Sequence, residues 1–115
     1  RGPVVVIAFS EDDMAHYFAA AAELRAAGTP AEVYLGRAGM KAQMKYADRR
    51  DAPAVILLGG DEIAAGQVTI KDLDAGRDAA QGLSDNAAWK AERPGQVTVS
   101  RDQMAAHVRA ILAAG

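Results

Sequence analysis

Residues 61 to 73, DEIAAGQVTIKDL, set a carboxylate at Glu62 nine positions ahead of an ammonium at Lys71, with Gln67 and Thr69 between them. Alternate side chains of an extended strand point to opposite faces, so Val68 and Ile70 share one face and Gln67, Thr69 and Lys71 share the other. The preceding AVILLG at 54 to 59 is a continuous apolar run of the kind buried on both faces. The contrast marks one face of the later strand as wet. A row of donors and acceptors there can read a polar ligand. A surface ion pair between Glu62 and Lys71, contributing about 1 kcal/mol or less, fits the same residues.

A second group is cationic. Lys41, Lys45 and Arg49 recur every four residues and line one helical ridge, while Met40, Met44 and Ala47 form an apolar side and Gln43, Tyr46 and Arg50 a third. On a chain of net charge −2 this ridge is a local exception. It suits a nucleic-acid backbone, with Tyr46 stacking on a base, and it equally suits a solvated helix face.

Other chemistries find no constellation. His16 and His107 fall on different helices, without an acid or second histidine at ligand spacing. Ser10, Ser84 and Ser100 sit in no G-x-S-x-G elbow, and Ser10 and Ser100 read as helix caps. Gly59 and Gly60 run into Asp61 and Glu62, whose charge repels a phosphate, so the pair is expected to be a tight strand exit. GRAG at 36 to 39, opening a helix, is the better anion candidate on glycine spacing alone.

The elements that must position these residues alternate along the chain. VVVIA at 4 to 8 is a buried strand bounded by Pro3 and the polar SEDD. Ser10 and Asp13 start a helix over about 12 to 27, with Met14, Tyr17, Phe18, Ala21 and Leu24 on its stripe and Gly28 at its end. AEVYL at 31 to 35 is a strand, 39 to 51 a helix and 54 to 58 a strand, which makes two βαβ units and hence parallel strands covered by helices. QVTIKDL follows too closely for a helical crossover and is expected to pair antiparallel or cross by a short loop. The sheet is therefore mixed. QVTV at 96 to 99 is an edge-strand candidate, and Ser100 precedes a last helix with Met104, Val108, Ile111 and Leu112 on one stripe. The fold class is α/β: three layers, a mixed, mostly parallel five-stranded sheet and three flanking helices.

At 115 residues, half of them hydrophobic and 24% charged, the chain fits one globular domain over 1–115. It has no cysteine, which excludes disulfide scaffolds and thiolate chemistry and is compatible with a reducing, cytoplasmic compartment. Its apolar runs fall far short of the ~18 residues that span a bilayer, so no membrane partner is expected. Opening on a core strand without methionine is expected of a domain excised from a longer protein.

Together, MKAQMKYADRR at 40 to 50, AVILLGGDEIAAGQVTIKDL at 54 to 73 and VVVIAFSEDDMAHYFAAAAELRAAG at the start resemble the C-terminal anticodon-binding domain of histidyl-tRNA synthetase. The resemblance covers about residues 4 to 76 and, more loosely, 97 to 112. It implies a five-stranded mixed sheet with three helices, a histidine tRNA anticodon loop as partner rather than DNA, and a homodimeric parent. It implies that ATP and magnesium serve a separate catalytic domain, with no cofactor and no catalytic residue here. In relatives an acidic residue before the polar strand and a basic one nine positions later contact anticodon bases. Those positions are Glu62 and Lys71, with Thr69 and Gln67 on the same face, and Lys41, Lys45, Arg49 and Tyr46 would serve the backbone and stacking. Two departures stand out: Ala42 replaces a lysine common in the family, and residues 77 to 94 form an unusual insertion carrying Trp89. Paralogues that have lost aminoacylation and become regulators keep the same domain.

Overall fold

The structure, a computed structural model, describes residues 2–75 and 95–114. The insertion expected at 77–94, with Ser84 and the helical turn expected around Trp89, lies outside the described residues. Five strands, β1 (Val4–Ile7), β2 (Ala31–Val33), β3 (Ala54–Leu57), β4 (Gln67–Asp72) and β5 (Gln96–Ser100), form one sheet in the order β2-β1-β3-β4-β5. β1 pairs parallel with both β2 and β3, whereas β4 pairs antiparallel with β3 and β5. Only β4 is reversed, so the sheet is mixed and mostly parallel as expected.

Helix α1 (Met14–Ala26) follows a single 3-10 turn, Glu11–Asp13, capped by the Ser10 hydroxyl, which accepts from the Asp12 N–H at 3.2 Å. It buries Tyr17, Ala20, Ala21 and Leu24. Phe18, expected on that stripe, is 48% exposed, because the inward line runs from Tyr17 through Ala20 and Ala21 to Leu24 and Phe18 lies about 100° round the helix from Tyr17. Helix α2 is Met40–Arg49 and helix α4 is Met104–Ala114. α4 buries Met104, Val108 and Ile111, with Leu112 packed at the margin. Ser100 does not cap it. The serine hydroxyl makes no capping bond, and a 3-10 turn, Arg101–Gln103, comes before α4.

The acidic turn between β3 and β4 is itself a helix, α3 (Gly60–Ala65). Six residues fit because Gly66, at φ 68, takes the left-handed conformation that ends the helix and turns the chain straight into β4. α3 returns the chain beside β3 and so produces the antiparallel pairing.

The two faces of the sheet are filled differently. Val4, Val6, Ile56, Val68 and Ile70 meet α1 and α4 in the larger core, where each fully buried aliphatic side chain contributes about 1.5–3 kcal/mol. The opposite face packs Val5, Ile7 and Val55 against Ala47 of α2 and Ala52 just after it.

Candidate nucleic-acid interface

α2 covers its face of the sheet only over the β1 and β3 side. Beyond Val55 and Leu57 that face continues onto β4 and β5, whose register sets Gln67 opposite Ser100, Thr69 opposite Thr98, and Lys71 opposite Gln96. Six polar side chains therefore make a two-stranded polar face. Three belong to the row expected on β4. The other three, Gln96, Thr98 and Ser100, were missed, although QVTVS repeats the alternation of QVTIK and carries the same signal. At the centre the Thr69 and Thr98 hydroxyls are 2.7 Å apart. Thr69 is buried at 8% exposure, whereas Thr98 is exposed and Lys71 half-buried.

Glu62 stands at one end of this face, on the third residue of α3. Its Oε1 accepts from the Gly59 N–H at 2.7 Å, which satisfies an otherwise unpaired amide at the start of the helix. A Cβ at Gly59 would stand 2.8 Å from that same oxygen, so a side chain there would push the carboxylate off its amide. Lys71 is four positions along β4 from Gln67, about 13 Å at the rise of a strand. Among the described residues Glu62 and Lys71 make no ion pair with each other. The two bracket the polar face rather than neutralising one another.

The loop beside Glu62 is held by two buried polar side chains. Gln43 of α2, 2% exposed, accepts from the Ala8 N–H at 2.8 Å and donates to the carbonyls of Ala8 and Ala38 at 2.7 and 2.8 Å. The Tyr17 hydroxyl accepts from the N–H groups of Phe9 and Ser10, both at 3.0 Å. Gln43 was expected on a lateral face of its helix. It is instead inward-facing because the exposed end of β1 requires an amide partner. The GRAG segment borders a cleft of about 240 Å³ with Phe9, Ser10 and Met14. Arg37 there is ion-paired with Glu11 at 3.0 Å, both side chains being exposed.

Lys41, Lys45 and Arg49 are all exposed. With Gln43 and Ala47 facing inward, helical geometry turns these three away from the sheet. The ridge is thus on the outside of α2, on the same side of the sheet as the polar face but not continuous with it. Tyr46, expected to stack on a base, is otherwise engaged. Its ring meets Tyr34 edge-on, with centroids 5.1 Å apart, and its hydroxyl donates to Glu32 Oε1 at 2.8 Å.

Arg50 completes that cluster, its Nε 2.9 Å from Glu32 Oε1. Burial alone would raise the Glu32 carboxyl, but hydrogen bonds from Arg50 and Tyr46 and the charges of Arg50 and Arg25 outweigh it and hold the group below the ordinary 4.5. The hydrogen bond to Glu32, then burial, pushes Tyr46 up. A depressed folded value means that the carboxylate stabilises the fold above pH 4.5 and that this stabilisation is lost as pH falls through the lower folded value. The stability gap between the parent protein and Glu32→Gln, measured by urea unfolding, should therefore close on acidification. A gap that stays constant down to pH 3 or so would remove Glu32 from the acid response.

Comparison with known proteins bears on the family and the fold. Over 112 residues the chain is 70% identical to the histidine–tRNA ligase of Caulobacter vibrioides, covering 97% of this chain and 23% of that protein. It is 51% identical over 114 residues to that of Mesorhizobium japonicum, again covering 97% and 23%. The chain thus spans about a quarter of the length of these relatives. Its fold is that of the histidyl-tRNA synthetase of Nostoc sp. PCC 7120, with a TM-score of 0.78 at 23% identity over 96% of this chain and 22% of that one. The RNA binding domain of threonyl-tRNA synthetase from Cryptosporidium parvum shares the fold at TM-score 0.73 and 14% identity, over 96% and 23%. A match to the anticodon binding domain family runs over residues 3–111, from the first strand through the polar face and into α4, and the chain belongs to that family.

Proposed function

We propose that this chain is the anticodon-reading module of a histidine–tRNA ligase, gripping the anticodon loop of histidine tRNA while a separate catalytic part attaches the amino acid. The observation that carries the reading is the two-stranded polar face on β4 and β5, bracketed by Glu62 and Lys71 that do not pair with each other. Sequence-specific RNA recognition takes unstacked loop bases and hydrogen-bonds their edges. The histidine anticodon is G-U-G. The Glu62 oxygen not used on Gly59 can accept from a guanine Watson–Crick edge, and the Lys71 ammonium can donate to O6 or N7. The domain uses no cofactor in this reading, since ATP and magnesium belong to the catalytic part. The parent protein is a cytoplasmic homodimer.

The test is binding of anticodon stem-loops to the intact protein, comparing G-U-G with loops in which the guanines are replaced. Preference for G-U-G supports the reading, and indifference overturns it. The α2 ridge supplies a second expectation, that of contact with the RNA backbone. Lys45→Ala should weaken every loop about equally and flatten the salt dependence by ~1 unit or less in slope. A changed base preference with the slope intact would count against a phosphate contact.

A further inference from the structure

The Thr69 and Thr98 hydroxyls are 2.7 Å apart and either could be the donor, but burial decides between the two arrangements. Among the described residues Thr98 is the sole partner of the Thr69 hydroxyl. If Thr98 donated inward, the Thr69 proton would be left buried without an acceptor, which costs about 1–3 kcal/mol. Thr69 therefore donates to Thr98. The exposed Thr98 keeps a free O–H and one lone pair directed outward from the middle of the polar face. Accepting from Thr69 also polarises the Thr98 O–H, which strengthens it as a donor.

Resting on the anticodon reading above, we infer that the edge strand β5 is half of the reading surface: Thr98, held by Thr69, donates to the carbonyl oxygen of an unstacked keto base. Guanine and uracil present such an oxygen where adenine and cytosine present an amine. Thr98 is the contact and Thr69 a positioning residue beneath it. Lys71 and Gln96, paired in register next along the two strands, continue the same surface.

The experiment measures binding of the intact protein to a G-U-G anticodon stem-loop and to loops in which each keto base in turn is replaced by an amino base. Thr98→Val keeps the branched shape and removes the hydroxyl. It should weaken G-U-G binding about 3- to 10-fold, the worth of one neutral hydrogen bond, and cost nothing further on the one loop from which the partner keto oxygen has been removed. Thr98→Ser should restore binding. Thr69→Val, shown to be folded by its urea melt, should give a smaller loss on the G-U-G loop and none on the loop that lacks the partner oxygen. Glu62→Gln is the control for the underlying reading. If it discriminates among loops while Thr98→Val weakens all loops equally or none, the surface is read from β4 alone and this inference fails. If neither variant discriminates, the anticodon reading itself fails.

Discussion

Gln43→Leu should destabilise the domain by about 2–5 kcal/mol, the sum expected when several buried backbone groups lose their partner at about 1–3 kcal/mol each. The glutamine amide satisfies the N–H and C=O of Ala8 and the C=O of Ala38 at once. Leucine fills nearly the same volume but offers none of these bonds. Burying its extra apolar surface offsets part of the cost, which is why the estimate stops short of the full sum. Urea unfolding would show a lower midpoint at unchanged slope, and the Ala8 amide would exchange faster with solvent. A loss below ~1 kcal/mol would mean that water enters and replaces the amide. The effect also reaches the candidate site. The parallel register of Ile7 with Leu57 carries Phe9 alongside Gly59, so loosening Ala8 loosens the neighbour of Glu62's own anchor.

The second large effect concerns Glu62, where an alanine substitution would confuse two roles. Removing the carboxylate strips the cap from Gly59 N–H, at a cost of about 0.5–2 kcal/mol in stability, and removes the proposed base contact together with it. Glu62→Gln separates them. The amide oxygen can still accept from Gly59, so the melt should move little, whereas the new NH₂ group faces the N1 and N2 donors of guanine. Donor against donor should cost about 1–3 kcal/mol on a G-U-G loop, and much less on a loop without guanine. If stability and binding fell together on all loops, Glu62 would be a cap and nothing more.

How far these residues could be placed from the sequence depended on whether local spacing or long-range pairing decides their surroundings. The β-branched runs and the periodic stripes gave the strands, α1, α2, α4 and the mixed sheet, because apolar periodicity follows directly from burial. The alternation of Gln67, Thr69 and Lys71 gave the orientation of β4 for the same reason. Partnerships between distant segments were not legible. Gln43 looked lateral because nothing in its helix indicates that Ala8 needs an amide, and Tyr46 looked available because Glu32 and Tyr34 approach it only after β2 is paired with β1. α3 was hidden by its shortness, since six residues hold too little periodicity to outweigh a pair of glycines. Thr98 was hidden by register. That it meets Thr69, rather than a neighbour two positions away, is set by the β4–β5 pairing.

That α2 covers only part of its face of the sheet among the described residues has an evolutionary consequence. Val68 and Ile70 hold β4 to the core from one side, while the opposite positions carry little of the folding free energy except at Thr69. Substitutions at 67, 71, 96 and 100 are then nearly neutral for stability, whereas 98 also holds the Thr69 hydroxyl. If this face reads the anticodon as proposed, such a scaffold can exchange one trinucleotide for another by successive small steps at little cost in folding. A library randomised at those four positions should therefore retain far more folded members than one of equal size randomised at Val5, Ile56, Val68 and Ile70, where the fold and the side chain cannot be varied separately.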